Sequence, residues 1–204
     1  MELIRTGSAS FSDSLLDLQL FIRQVQLNVT IYYRYMDSLA NLISQLGHFG
    51  MCTTKFDDML SFYTTNFNIV PSDFIYVLKD GKKEIVTTFC HLDLGDKPVD
   101  HHSFFLSANP TTHVHHCSFE VHDYDTQHLG HQWLAKKGYT SVWGLGRHVL
   151  GSQIFDYWWD TTGNMVEHYA DGDLVTSETP ISYLEAGHES LAVWGPELPP
   201  TFLS

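Results

Sequence analysis

The sequence predicts an α+β fold in which two βαβββ modules pack together and close into one open β-barrel. Three observations predict it. Aligning His48 with His116, an offset of 68 residues, lays His48–Asp57 over His116–Asp125. Each stretch runs on into helical spacing, and each helix is followed by three strand-like runs. A supersecondary unit repeated in this way cannot bury its apolar face alone, so the copies are expected to pack on each other.

Residues 1–45 stand apart and carry no recognisable chemistry. Ser10–Ser14 offers a helix N-cap ahead of Leu15, Leu16, Leu18, Leu20, Phe21 and Ile22, whose spacing is helical in part. Residues 28–35 are strand-like in composition, and residues 37–44 suit one or two helical turns. The first module spans 46–107: a strand through Leu46–Gly50, a helix from Asp57 to Tyr63, strands at Phe74–Leu78 and Glu84–Leu92 around a Lys79–Lys83 turn, and a strand from His102 to Ser107. The second spans 114–173: a strand His116–Val121, a helix Thr126–Lys137 with an apolar stripe of Leu129, Trp133 and Leu134, and strands at Thr140–Trp143, Ile154–Trp159 and Asn164–Tyr169. Gly138 marks the end of that helix, and Asp160–Gly163 forms a tight turn between the last two strands. Residues 176–204, with Pro180, Pro196, Pro199 and Pro200, read as an extended tail whose Trp194-Gly-Pro folds back over the site.

Composition narrows the function. A 43% hydrophobic and 14% aromatic chain supports a real core. A net charge of −13 with only 11 basic residues excludes a nucleic-acid partner, which needs clustered Lys and Arg. Cys52, Cys90 and Cys117 show no CxxC spacing, so neither a disulfide framework nor a structural zinc site is expected. No apolar run reaches the ~18 residues of a membrane helix, and the N-terminus lacks a basic start followed by an apolar block. A cytoplasmic protein without a membrane partner is expected.

Thirteen histidines are too many for number alone to mean anything, so position decides. Glu167 is unusual, because glutamate is depleted in strands and rarely buried without a partner. His48 and His116 occupy the same place in the two repeats. On the strand that follows, His116, Ser118 and Glu120 share a polar face, while Cys117, Phe119 and Val121 share an apolar one. Two histidines and a carboxylate are the ligand set of a non-haem Fe(II) site with open positions. His113 and His115 are expected not to be ligands, and His122, His128, His131 and His188 are expected at the surface. Arg147 reads as a salt-bridge residue.

The two modules, each with a histidine opening its first strand, together with Gly146-Arg147-His148, Tyr157 nine residues later and Glu167 ten after that on the last strand, resemble the vicinal oxygen chelate fold. Within it the chain is similar to type I extradiol catechol dioxygenases. The resemblance covers roughly Leu46–Asp173 and is strongest over His115–Asp173. It implies His48, His116 and Glu167 as metal ligands for Fe(II), with Mn(II) the alternative. It implies His102 as acid–base group, with neighbouring His101 the alternative, Tyr157 as hydrogen-bond partner of the substrate oxygen, and His148 as stabiliser of the developing oxyanion. The implied substrates are dioxygen and a single-ring or trihydroxylated aromatic diol. The chain departs from typical members, which have a further N-terminal pair of modules; residues 1–45 read as a remnant of that pair, and their apolar side chains imply a homo-oligomer. Two rivals stay open: a glyoxalase-like isomerase or lyase with a fourth ligand, for which Asp100 is the candidate, and a non-catalytic truncated member.

Overall fold

The computed structural model describes residues 43–187 and 191–203. The expectations for residues 1–42 and for His188 therefore lie outside the described residues. The first module consists of β1 (Ile43–Thr53), α1 (Phe56–Asn66), β2 (Ile69–Lys79), β3 (Lys82–Leu92), a two-residue β4 (Val99–Asp100) and β5 (Phe104–Ala108). The second has β6 (His113–Val121), α2 (Tyr124–Lys136), β7 (Ser141–His148), β8 (Ile154–Trp159) and β9 (Met165–Ala170). After them come β10 (Leu174–Val175), β11 (Ser182–Glu185) and β12 (Ala192–Trp194).

The sheet runs β11-β2-β3-β5-β1-β6-β9-β8-β7-β12. Its centre is an antiparallel seam between β1 and β6. On either side of the seam the modules repeat each other: β5 lies parallel to β1, and β9 parallel to β6. This is the paired βαβββ arrangement that the repeat predicts. The 68-residue offset carries β1 and α1 onto β6 and α2 and then drifts, because the loops and strands that follow differ in length.

Local chemistry explains the elements. The β2–β3 hairpin turns at Asp80 and Gly81, both at positive φ (52° and 73°), as a two-residue turn between right-twisted strands requires. In the β8–β9 turn, one carboxylate oxygen of Asp160 accepts from Thr162 N, Thr162 Oγ1 and Asn164 N, each at 2.8 Å. Asp123 caps α2 by accepting from Thr126 N at 2.8 Å. That bond and the adjacent His122 hold the exposed Asp123 carboxyl down at about 2. Gln127 docks α2 on the sheet by donating to the carbonyls of Ile154 (3.0 Å) and His168 (2.8 Å). One core cluster, Met51, Phe56, Cys90, Phe104 and Leu106, lies with α1; the other contains Trp143, Phe155, Tyr157, Met165 and Phe202. Each such buried large side chain contributes about 1.5–3 kcal/mol. The three cysteines are free and buried.

Several expectations are corrected. The tail is not extended loop throughout: β11 joins β2 at one end of the sheet and β12 joins β7 at the other. Trp194 does not cover the site; it is 42% exposed and lines a surface recess with His122 and Arg147. The strand expected from His102 begins at Phe104. The strand expected from Phe74 begins at Ile69, and Pro71 is accommodated beside a bulge, where the ladder skips a residue.

Candidate metal centre

The centre forms where β1, β6 and β9 meet. Four residues of β1, from Leu46 to Phe49, span the same stretch of ladder as three residues of β6, from Phe119 to Cys117. His48 lies in this bulge, a feature that re-aims side chains. Gly50, two residues on, lies opposite His116, and a Cβ there would stand 2.8 Å from the His116 ring. Only glycine admits the imidazole so close. On the other side of β6, Ser118 is level with Glu167, and Glu167 is level with Tyr157 of β8.

His48, His116 and Glu167 converge, and all three are buried. His48 Nε2 lies 2.9 Å from His116 Nε2 and 2.9 Å from Glu167 Oε2, and His116 Nε2 lies 3.7 Å from the same oxygen. Glu167 is fully buried, and among the described residues neither of its carboxylate oxygens accepts a hydrogen bond of good geometry. Burial pushes its pKa up, but the His48 charge and contacts with His148 and His48 outweigh this and hold it well below the usual carboxylate range. A buried, ionised and orphaned carboxylate is costly unless a cation neutralises it. Donor atoms on mutually perpendicular bonds of a divalent ion, about 2.0–2.2 Å from it, stand about 3 Å apart, close to two of these three separations. The donor set therefore fits a divalent metal.

The residues expected around the ligands gather there too. The His102 ring lies 4.1 Å, centroid to centroid, from that of His48, and burial, with the neighbouring His48 charge, pushes its pKa well down. Tyr157 lies edge-on to His116, and its hydroxyl is 3.1 Å from His148 Nε2. Burial and the Glu167 charge raise the Tyr157 pKa well above normal. His148 Nε2 is 3.8 Å from Glu167 Oε1, and its Nδ1 is 2.8 Å from the Leu191 carbonyl. A carbonyl only accepts, so neutral His148 is protonated at Nδ1 and accepts the Tyr157 hydroxyl at Nε2.

His101 does not share His102's place. Its Nε2 is 2.6 Å from Asp73 Oδ2, and its Nδ1 is 3.1 Å from His102 Nδ1. Asp73 is held in turn by the Ser182 hydroxyl from β11. Asp100 is occupied elsewhere, accepting from the Tyr169 hydroxyl at 3.0 Å and from Gln45 at 3.3 Å, and it does not belong to the ligand cluster. Arg147 pairs with Asp171 at 2.7 Å. His115 is not in the ligand cluster, and His122 is highly exposed. His131 is only partly at the surface and pairs with buried Asp156. Sequence reasoning missed Asp73, whose only signal was a carboxylate in a strand, and missed the main-chain acceptors Leu191 and Phe202, which have no signal at all.

Comparison with known proteins agrees with this fold. The family model for the Glyoxalase/Bleomycin resistance protein/Dioxygenase superfamily matches residues 45–168. Metapyrocatechase 2 of Cupriavidus necator is 32% identical over 160 residues, which is 78% of this chain and 47% of that protein. Homoprotocatechuate 2,3-dioxygenase from Arthrobacter globiformis superimposes with a TM-score of 0.70 at 17% identity, over 82% of this chain and 50% of that one. The Mn(II)-bound glyoxalase from Novosphingobium aromaticivorans gives 0.66 at 19% identity, over 83% and 56%. The chain thus spans about half the length of these relatives. These matches, and a fold built of two βαβββ modules meeting at a His-His-Glu centre, establish that the chain belongs to the Glyoxalase/Bleomycin resistance protein/Dioxygenase superfamily.

Proposed function

We propose that this protein is an extradiol dioxygenase that opens the ring of a small, uncharged catechol using dioxygen. The observation that carries this reading is the pairing of the His48, His116 and Glu167 cluster with an apolar pocket beside it. A divalent metal held by these three residues, Fe(II) or Mn(II), would bind the two oxygens of the diol together with dioxygen and let electrons pass between them. The pocket encloses about 220 Å3 and is walled by side chains such as Ile75, Phe89, Phe105 and Trp143, with His102, His148 and Tyr157 on its polar side. Drug-sized sites run to about 300–1,000 Å3, so this one suits a single ring. Among the described residues no Lys or Arg lines it, which disfavours a substrate carboxylate. The Thr87 and Ser107 hydroxyls, 3.0 Å apart in the wall, suit a third ring hydroxyl. The likeness to metapyrocatechase 2 supports the reaction class.

The chain's own residues divide the work. His102, kept neutral by burial, donates from Nδ1 toward His101 and holds a lone pair on Nε2 with which to take a proton from the diol. Tyr157 stays protonated and orients a substrate oxygen by hydrogen bonding. His148, once protonated, donates from Nε2 and stabilises negative charge as it develops. The apolar walls exclude water, which strengthens each of these interactions. A glyoxalase-like reaction with a fourth protein ligand is less well supported, because Asp100 is held by Tyr169 and Gln45.

The test is to load the protein anaerobically with Fe(II) or Mn(II), add catechol and admit air. A yellow ring-cleavage product is expected, and its absence with both metals sinks the proposal. Self-association belongs to the same reading and is checked by light scattering: a stable 23.3 kDa monomer at all concentrations argues against it.

A further inference from the structure

The tail reaches the metal centre through the main chain of Phe202. That carbonyl lies 2.5 Å from His115 Nε2, and His115 Nδ1 lies 2.6 Å from Nδ1 of His116. A carbonyl has only lone pairs to offer, so Nε2 of His115 carries the proton. The reverse tautomer would set two lone pairs against each other at 2.5 Å. With its proton on Nε2, the ring presents its lone pair at Nδ1, which is therefore the acceptor at the 2.6 Å contact. His116 therefore donates from Nδ1 and keeps its lone pair on Nε2, the nitrogen that faces His48 and Glu167. That is the tautomer a metal ligand needs.

We propose that His115 is a positioning residue for the metal centre, passing the constraint of the Phe202 carbonyl on to the tautomer and orientation of the ligand His116. The inference rests on the metal reading above. The anchoring is well built. Phe202 N donates to the Pro199 carbonyl at 3.0 Å, and Asn109 donates to the Leu203 carbonyl at 2.6 Å. The Phe202 ring packs edge-on against His115, Trp143 and Tyr157 at 4.9–5.0 Å. The acceptor is thereby fixed from one side by the tail and from the other by the second module. His115 touches the centre only through His116, so its contribution is to ligand geometry, not to the reaction.

The experiment is an anaerobic Mn(II) titration of metal-free protein, with thermal midpoints recorded in parallel. His115→Phe keeps a ring but removes both nitrogens, and should weaken Mn(II) binding about 10–100-fold. His115→Asn puts a side-chain carbonyl near the place of Nδ1, and should recover at least half of that loss on a logarithmic scale. If His115→Phe does not fold, His115→Leu takes its place in the comparison. Wild-type affinity in the apolar variant overturns the proposal. So does equal weakening in the Asn and apolar variants, because the site would then be responding to lost bulk and not to a lost acceptor. Tight wild-type binding with an indifferent His115→Phe refutes only the positioning role, whereas a wild-type protein that takes up no Mn(II) refutes the metal centre itself.

Discussion

Gly50→Ala tests how closely the centre depends on its packing. The added methyl would stand 2.6 Å from Phe105 Cδ1, 2.8 Å from His116 Cε1 and 2.9 Å from His116 Nδ1. Carbon atoms in contact rest about 3.5–4.0 Å apart, so the imidazole must retreat by roughly 1 Å. Phe105 offers no easy relief, since its ring already packs on His115, His116 and Phe89. The retreat would break the 2.6 Å contact with His115 and open the 2.9 Å spacing to His48. Overpacking of this kind costs about 1–3 kcal/mol. For a chain of this size that lowers the thermal midpoint by roughly 2–4 °C per kcal/mol, so about 2–12 °C. The effect on metal should exceed the effect on stability, with Mn(II) affinity falling by at least about tenfold, as when a ligand's support is lost. Scanning calorimetry of the metal-free protein and a Mn(II) titration read both. A variant whose midpoint and affinity match the wild type would show that the β1–β6 seam yields freely and that Gly50 is not required by the His116 ring.

Other outcomes follow from the same geometry. Glu167→Gln, His48→Ala and His116→Ala should each lose bound metal by elemental analysis; wild-type metal content in Glu167→Gln would remove that residue from the ligand set. His102→Ala should retain metal and bind catechol while turnover falls about 10²–10⁴-fold, and a larger loss in His101→Ala than in His102→Ala would reverse the two roles. The hydrogen bond to Asp156 raises the His131 pKa against the opposing effect of burial. A raised folded-state value means that the pair stabilises the fold fully below the unfolded value of about 6.5 and loses that contribution as pH climbs through the folded value. His131→Gln should therefore lower the thermal midpoint more at pH 6 than at pH 9, and equal losses would refute the linkage.

The fold was legible where residue pattern carries physical demand. A repeated histidine followed by a helix in both halves located β1, α1, β6 and α2, and an Asp-Gly pair located the β2–β3 turn. Glu167 stood out because a strand interior has no cheap use for a carboxylate, and the structure buries it completely beside two histidines. Less legible were features whose cause lies far along the chain. His101 resembled His102 in sequence, and their neighbours separate them: Asp73, held by Ser182, for His101 and His48 for His102. His115 had a parity that set it aside as a ligand, which is consistent with its absence from the cluster, but nothing local signals its bond to a carbonyl of residue 202. Short strands such as β11 and β12 escape pattern reading because ladder pairing with β2 and β7, rather than their own composition, makes them strands.

The central seam has a mechanical consequence. One donor comes from the first module, on β1, and two from the second, on β6 and β9. Neither half of the repeat holds more than two donors, so a bound ion would act as a rivet through the joint between them. Stabilisation by mass action reaches about 2.7 kcal/mol when free metal stands at a hundred times its dissociation constant. Withdrawing the ion with a chelator would leave each module's own core intact while loosening the joint. The first motion toward unfolding would then be a parting of the two halves along β1 and β6, starting at the bulge that carries His48.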